Sequence, residues 1–214
     1  MLINFIRYLF FIILIRPLIL VVLGLNIRNR IKLPTTGPAI LVANHNSHLD
    51  TLVLMTLFPL SRLSSIRPVA AMDYFCSNPL LKWFSLNIMH IIPLERKFST
   101  YHKDPLANIS LALEEKQIVI IYPEGTRGEP EKMSNFKKGI AHLTERHQDV
   151  PVVPIFMHGL GKSLPSGEGI LVPFFCDVFI GDQLFWTGDR NTFMELLNQQ
   201  MQSLSEKGNF PLWH

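Results

Sequence analysis

The stretch PAILVANHNSHLD, residues 38 to 50, carries the strongest fold signal in the chain. Its first part, residues 38–43, is an unbroken apolar run, which is typical of a strand buried on both faces of a sheet. Two histidines, two asparagines and one aspartate follow within eight residues. Polar side chains that follow a buried strand stand at the carboxyl edge of an open α/β sheet, where the sites of such sheets lie. The stretch therefore predicts an α/β fold with a functional site at this edge.

The rest of the chain supports the same fold class. Short aliphatic runs alternate with helical stretches, and this alternation favours an α/β domain. The expected strands are residues 69–71, 91–94, 118–122, 152–156 and 178–180, and the expected helices are residues 51–57, 79–84, 105–116, 139–146 and 191–205. We expect one domain, residues 33–214, with a central mixed sheet flanked by helices. A chain of 214 residues is long enough for one well-buried domain.

Residues 1–32 form a separate, strongly apolar segment that we expect to anchor the protein to a membrane. From Tyr8 to Leu25 the only charged residue is Arg16, and Pro17 follows it. A helix of this length would extend about 27 Å, close to the bilayer core, but would place the arginine near the bilayer centre at a cost of about 2.5–3.5 kcal/mol. A break at the proline gives a hairpin of two short limbs instead. We expect this hairpin, with a single span or a buried helix as the alternatives.

The distribution of basic residues predicts the side of the membrane on which the domain lies. Arg28, Arg30 and Lys32 outnumber Arg7 across the apolar segment. Because positive charge favours the cytoplasmic side, we expect an inner (cytoplasmic) membrane protein with its domain in the cytoplasm. The net charge of +3 suits an anionic membrane surface, but it is too small to predict binding of nucleic acid.

His45 and Asp50 are the first candidates for catalysis. If Asn46 or Ser47 caps a helix, Asp50 lies in its first turn, where the carboxylate can accept a hydrogen bond from His45 Nδ1–H. That bond leaves Nε2 as the proton acceptor and stabilises the imidazolium that forms. A capping aspartate beside a surface histidine is the alternative. His48 extends the pattern to H-x-x-H-x-D, but no third ligand completes a zinc site, so we expect no metal.

A second polar stretch, YPEGTRGEP at residues 122 to 130, also follows an aliphatic run. Gly125 permits a tight turn, while Thr126 and Arg127 offer a hydroxyl, backbone N–H groups and a guanidinium. Such a set can hold an oxyanion or a phosphate. An ordinary charged turn is the alternative for this segment.

Two further basic stretches complete the candidates. IIPLERK, residues 91–97, ends in charge, and its Arg96 would give a phosphate a second contact. An exposed charged strand end is the alternative there. FKKG places Lys137 and Lys138 before a predicted helix, where they could face substrate, lipid headgroups or water.

In order and spacing, these stretches together resemble the glycerolipid acyltransferases, a family typified by bacterial 1-acylglycerol-3-phosphate acyltransferases. Residues 44–50 match the motif NHxSxxD in full, and residues 122–127 match F/Y-P-E-G-T-R. The V-P-hydrophobic strand of the family is matched at residues 153–155. Two positions depart from the pattern, because Glu95 replaces the usual aspartate and Gly128 the usual serine. Both lie in the acceptor-binding motifs, so they leave the acceptor open.

The resemblance, which spans residues 38–181, implies a reaction. A fatty acyl group would pass from a thioester to the sn-2 hydroxyl of 1-acylglycerol 3-phosphate, giving phosphatidic acid for phospholipid biosynthesis. His45 would be the general base and Asp50 would orient it. The acceptor site would comprise Arg96, Thr126 and Arg127 on the phosphate, with Glu124 and Gly125 shaping the loop.

The resemblance also implies the other molecules involved. No cofactor would be permanently bound, and the acyl donor would be acyl-CoA or acyl-ACP. The partners would be membrane lipids, including the lysophospholipid acceptor, and acyl carrier protein. Three other functions are the alternatives: transfer to another acceptor such as glycerol 3-phosphate or a lyso-aminolipid, hydrolysis of an ester or thioester at the membrane, and a non-enzymatic adaptor. The last of these would leave the motifs unexplained.

Overall fold

The computed structural model of the chain describes residues 2–47, 49–75, 78–95, 104–126, 133–163 and 175–208. Its strands are β1 (Gly24–Arg28), β2 (Ala39–Ala43), β3 (Ile66–Ala71), β4 (Ile92–Leu94), β5 (Ile118–Ile121), β6 (Val152–His158) and β7 (Phe175–Ile180). They form one sheet with the order β1-β7-β6-β2-β5-β3-β4. Neighbouring strands are parallel except β6 and β7. The predicted α/β class with a central mixed sheet is confirmed.

Helices cover both faces of the sheet. They are α1 (Leu2–Leu9), α2 (Leu49–Thr56), α3 (Met72–Phe75), α4 (Pro79–Asn87), α5 (Ala107–Glu114), α6 (Gly139–Arg146), α7 (Leu160–Ser163) and α8 (Arg190–Glu206), with 3₁₀ turns at Arg30–Lys32 and Leu60–Ser65. Apolar side chains of α2 join the core on one face, and those of α5, α6 and α8 join the core on the other. Each strand and helix expected from the sequence after residue 37 is present, with its ends shifted by a few residues at most.

The central strand β2 contributes side chains to the hydrophobic cores on both faces of the sheet. Its five residues are all fully buried. Ala39, Leu41 and Ala43 contribute to the core on the face covered by α2, the first core, while Ile40 and Val42 contribute to the second core, on the face covered by α5, α6 and α8. Because successive side chains point to opposite faces, a strand covered on both sides must be apolar at every position. The carboxyl ends of β2, β5 and β6 share one edge, so the polar residues that follow them meet there.

The edge strand β1 was not predicted. It consists of residues 24–28, inside the segment that the sequence assigned to the membrane anchor, and it pairs in parallel with β7. Asn26 Nδ2 donates to Asp177 Oδ1 at 2.6 Å across this pair. The segment GLNIR has a weak intrinsic preference for a strand, so it becomes a strand because it pairs with β7, which is distant in the sequence.

The N-terminal helix, residues 2–22, is continuous where the sequence predicted a hairpin. It is α-helical over Leu2–Leu9 and π-helical over Phe10–Ile15 and Leu18–Val22. Pro17 has helical dihedral angles, φ −59° and ψ −42°, so the chain does not turn back there. The expected two-limbed hairpin is therefore corrected to one helix. The wider π-helical turns on both sides of the proline accommodate its ring, and the fixed φ of proline is compatible with a helix.

One face of the N-terminal helix belongs to the first core. Phe11, Ile15, Ile19 and Leu23 follow at intervals of four residues, and each is at most 3% exposed. Arg16, which a simple span would place in the bilayer, instead donates from its guanidinium to the Phe58 carbonyl oxygen at 3.0 Å. The helix therefore docks along the domain.

The opposite face of the N-terminal helix is apolar and uncovered. More than half of the side-chain surface is exposed at Leu2, Phe5, Ile13, Leu14, Leu20 and Val21. By length and composition, Leu2–Val21 is long and apolar enough to cross a membrane. An exposed apolar surface of this extent marks an interaction site, and here it supports membrane association.

Candidate active site

The first polar loop begins at Asn44, which fixes the end of β2. Its side-chain Nδ2 donates to the Met157 carbonyl oxygen at 2.8 Å, and its Oδ1 accepts from the Met157 N–H at 2.8 Å. The amide therefore continues the pairing of β2 with β6 for one residue beyond the last strand position. Asn44 is 1% exposed, so both bonds are shielded from water. This anchor determines where His45 leaves the sheet.

His45 and Asp50 form the predicted pair. Asp50 Oδ2 lies 2.9 Å from His45 Nδ1, and the carboxylate is in the first turn of α2 as expected. The same oxygen accepts from the N–H groups of Asn46 at 2.7 Å and Ser47 at 2.9 Å. Burial raises the pKa of Asp50, and the hydrogen bonds from His45, Ser47 and Asn46 act against that rise. Three donors on one oxygen stabilise the ionised form in a buried position.

The pair leaves the other ring nitrogen available for chemistry. With Nδ1–H on the carboxylate, His45 Nε2 is the basic atom. The His45 side chain is 20% exposed, whereas that of Asp50 is 1% exposed. Solvent and substrate can therefore reach the imidazole while the carboxylate stays covered. This is the arrangement of a general base whose imidazole is oriented by a carboxylate.

Glu124 joins the second polar loop to the first. It is 3% exposed; its Oε1 accepts from the backbone N–H of His45 at 3.0 Å, and its Oε2 accepts from the backbone N–H of Ser134 at 3.2 Å. Burial raises the pKa of Glu124, and these hydrogen bonds partly offset the effect. With both oxygens engaged by the backbone, the carboxylate determines the shape of the loops.

Tyr122 is a site residue whose role sequence reasoning did not identify. Its ring stacks on the imidazole of His45 with the centroids 4.1 Å apart and the planes 19° apart. Its hydroxyl lies 2.9 Å from Thr51 Oγ1, on α2. Burial, together with the negative charge of Asp50, raises the pKa of Tyr122 well above its usual value, so the hydroxyl stays protonated. The only signal in the sequence was its position as the first residue of the second motif, directly after β5.

The remaining predicted residues lie around the turn of the second loop. Gly125 has φ +76°, a conformation that favours glycine, and its N–H donates to the Tyr122 carbonyl oxygen at 3.0 Å. Thr126 is exposed beside it. Arg96 and Arg127, the two predicted guanidinium ligands of a phosphate, lie outside the described residues, as does His48.

Comparison with known proteins gives one family match and several relatives. The family model described as Acyltransferase matches residues 24–158. A chloroplastic 1-acyl-sn-glycerol-3-phosphate acyltransferase of Arabidopsis thaliana is 34% identical over 69% of this chain and 40% of its own length. The mouse 1-acyl-sn-glycerol-3-phosphate acyltransferase alpha is 30% identical over 61% of this chain and 44% of its own length. The chain therefore spans less than half the length of these relatives.

A solved structure has the same fold. The crystal structure of the 1-acyl-sn-glycerophosphate acyltransferase of Thermotoga maritima superposes with a TM-score of 0.76. The superposition covers 99% of this chain and 81% of that protein, at 17% sequence identity. The likeness therefore includes the N-terminal helix as well as the sheet.

Proposed function

The chain belongs to the acyltransferase family, whose model matches residues 24–158, and we propose that it transfers a fatty acyl group to the sn-2 hydroxyl of 1-acylglycerol 3-phosphate, giving phosphatidic acid. The observation that carries the proposal is the His45–Asp50 pair, with Nδ1 and Oδ2 2.9 Å apart and the imidazole within reach of a substrate. The names of the relatives support this acceptor. The product would enter phospholipid biosynthesis.

In this mechanism, His45 Nε2 accepts the proton of the acceptor hydroxyl while Asp50 stabilises the imidazolium. The alkoxide attacks the carbonyl carbon of the acyl thioester and forms a tetrahedral oxyanion. Collapse of the oxyanion breaks the carbon–sulfur bond, and the leaving thiolate takes up the proton held by the imidazolium. No acyl-enzyme is required, and Cys176 is buried within the first core.

The acceptor phosphate would be held at the second loop. Thr126 offers its hydroxyl there, and Arg96 and Arg127 would supply guanidinium groups that can bind a phosphate with two hydrogen bonds each. Glu124 and Gly125 would shape this part of the site. The hydrogen bonds that Glu124 accepts from the backbone N–H groups of His45 and Ser134 support that assignment.

The acyl donor would be acyl-CoA or acyl-ACP, and no other cofactor would be needed. The protein would act at the inner (cytoplasmic) membrane with its catalytic domain on the cytoplasmic side, in contact with lysophospholipid and, for one class of donor, with acyl carrier protein. The exposed apolar face of the N-terminal helix supports contact with a membrane, and acceptor and product both reside in the bilayer.

The test is acyl transfer from labelled acyl-CoA, and in parallel from acyl-ACP, to 1-acylglycerol 3-phosphate in liposomes. Wild type should form phosphatidic acid, whereas His45→Ala should lose about 10²–10⁴-fold of the rate, the usual contribution of a general base. Asp50→Asn should also lose rate, since it removes the charge that stabilises the imidazolium. Equal product from wild type and His45→Ala would refute the mechanism.

If wild type does not acylate 1-acylglycerol 3-phosphate, the proposed acceptor is wrong. Glycerol 3-phosphate and lyso-aminolipids would then be tried with the same donors. Release of free fatty acid at a rate independent of any acceptor would indicate a hydrolase.

A further inference from the structure

Lys137 lies against the second loop, although the proposed mechanism gives it no role. Its backbone N–H donates to the Pro123 carbonyl oxygen at 2.9 Å, which ties the residue to the loop after β5. Its ammonium lies over Gly125, because an ideal Cβ built on that glycine would be 2.5 Å from Lys137 Nζ. The charge therefore stands directly above a loop residue that has no side chain.

The same loop contacts the proposed base. Tyr122 stacks on the imidazole of His45, and Glu124 accepts a hydrogen bond from the backbone N–H of that histidine. The loop from Tyr122 to Gly125 is therefore in contact with His45 at one end and with the Lys137 ammonium at the other. A positive charge and the proposed base therefore contact the same four-residue loop.

The charge of Lys137 is not neutralised by its described neighbours. The side chain is exposed, and it makes no ion pair or hydrogen bond with the part of the chain that the structure describes. Glu124 does not take this role, since its two oxygens accept from the N–H groups of His45 and Ser134. Among the described residues, nothing occupies the ammonium that would keep it from binding an anion.

The neighbouring lysine has a different environment. Lys138 Nζ lies 3.4 Å from Asn191 Oδ1, at the start of α8, and so is held at another element. Both lysines are exposed, but Lys137 contacts the loop beside His45, whereas Lys138 bonds to Asn191. This difference provides a matched control.

We propose that Lys137 is a specificity-determining residue that binds the phosphate of the acceptor, with the bare backbone of Gly125 leaving room for the lysine side chain beside the loop. The inference rests on the proposed function. Phosphate groups also occur in both kinds of acyl donor. The acceptor phosphate is the better match, since a short glycerol backbone joins it to the hydroxyl that His45 deprotonates.

The experiment compares Lys137→Gln, Lys137→Arg and Lys138→Gln with wild type. Acceptor concentration is varied at saturating donor, and donor concentration at saturating acceptor. Lys137→Gln should raise the KM for 1-acylglycerol 3-phosphate about ten- to a hundredfold, the usual effect of losing a hydrogen bond between charged groups. Its kcat and its KM for the donor should stay near wild type. Lys137→Arg should restore most of the affinity, and Lys138→Gln should behave as wild type.

A binding measurement makes the result independent of turnover. Without donor, added 1-acylglycerol 3-phosphate should raise the melting temperature of wild type and Lys138→Gln at lower concentrations than that of Lys137→Gln. An unchanged acceptor KM in Lys137→Gln would overturn the inference. A raised KM for the donor alone would also overturn it, because the phosphate would then belong to the donor.

Failure of the proposed function gives a different pattern. Wild type would then leave 1-acylglycerol 3-phosphate unmodified and acylate another acceptor. If that acceptor carries a phosphate, Lys137→Gln should still raise its KM, and the assignment of Lys137 would stand. If wild type acylates only phosphate-free acceptors, both conclusions are refuted.

Discussion

Glu124 Oε1 accepts a hydrogen bond from the backbone N–H of His45 at 3.0 Å, so the second polar loop is fastened to the residue that carries the proposed base. The two residues are far apart in the sequence, and the strands before them, β5 and β2, are neighbours in the sheet. Because β2 and β5 are aligned in the sheet, the Glu124 carboxylate can hold the His45 imidazole in one position.

Glu124→Gln should lower activity more than its small change in size suggests. The amide keeps one acceptor oxygen but turns an NH₂ group toward a backbone N–H donor, of His45 or of Ser134. A buried donor left without an acceptor costs about 1–3 kcal/mol. We expect a lower melting temperature and a fall in kcat, both measured on the purified variant. Wild-type kcat and melting temperature together would contradict the positioning role.

Tyr122 should support His45 mainly through its ring. Tyr122→Phe keeps the stacked contact and removes the hydroxyl that lies 2.9 Å from Thr51 Oγ1, at a cost of about 1 kcal/mol. Activity should stay within a few-fold of wild type. Tyr122→Ala removes the stacked ring beside His45 and should reduce kcat far more. The ratio of the two kcat values is the measurement, and similar losses in both variants would show that the hydroxyl dominates.

Two glycine substitutions should act in opposite directions. Gly125→Ala places a side chain at φ +76° and 2.5 Å from Lys137 Nζ, so stability should fall by about 1–2 kcal/mol and the acceptor KM should rise. Gly139→Ala lies at the start of α6 with open space around the new methyl group, so it should raise stability by about 0.5 kcal/mol. Denaturant unfolding and acceptor kinetics test both. Equal effects on stability would contradict the assigned conformations.

His90 should make the protein less stable in mild acid. Burial, together with the charges of Arg67 and Arg7, lowers the pKa of His90 from 6.5 to about 4. Between these values the unfolded chain takes up a proton that the folded chain resists, so the free energy of unfolding falls as the pH is lowered. His90→Asn removes the titrating group and suits the residue's φ of +59°.

The check on His90 is the free energy of unfolding of both proteins across this pH range. The advantage of His90→Asn relative to wild type should grow as the pH falls from 6.5 toward 4. Parallel curves for the two proteins would show that another group is responsible.

The two faces of the N-terminal helix should respond differently to substitution. Replacing Ile13, Leu20 and Val21 by glutamine changes exposed positions, so binding to liposomes should weaken while the melting temperature stays near wild type. Activity on a micellar acceptor should persist. Phe11→Ala removes a fully buried ring and should destabilise the protein by about 3–5 kcal/mol. Undiminished liposome binding by the triple variant would place the membrane contact elsewhere.

The sequence alone determined the fold class and the proposed base. An apolar run such as residues 39–43 is read from its own composition, because a strand covered on both faces needs apolar side chains throughout. The link between His45 and Asp50 could also be predicted from the sequence, since Asp50 lies in the first turn of α2 and His45 in the short loop just before that helix. In both cases the information lies within a few adjacent residues.

Only the tertiary structure decided what surrounds that base. The stacking of Tyr122 on His45, the hydrogen bond from His45 to Glu124 and the ammonium of Lys137 over Gly125 join segments that are distant along the chain. The pairing of β1 with β7 and the docking of the N-terminal helix on the first core are of the same kind. Such contacts depend on how strands align and how side chains fill the space between elements, and neither leaves a periodic pattern in the local sequence.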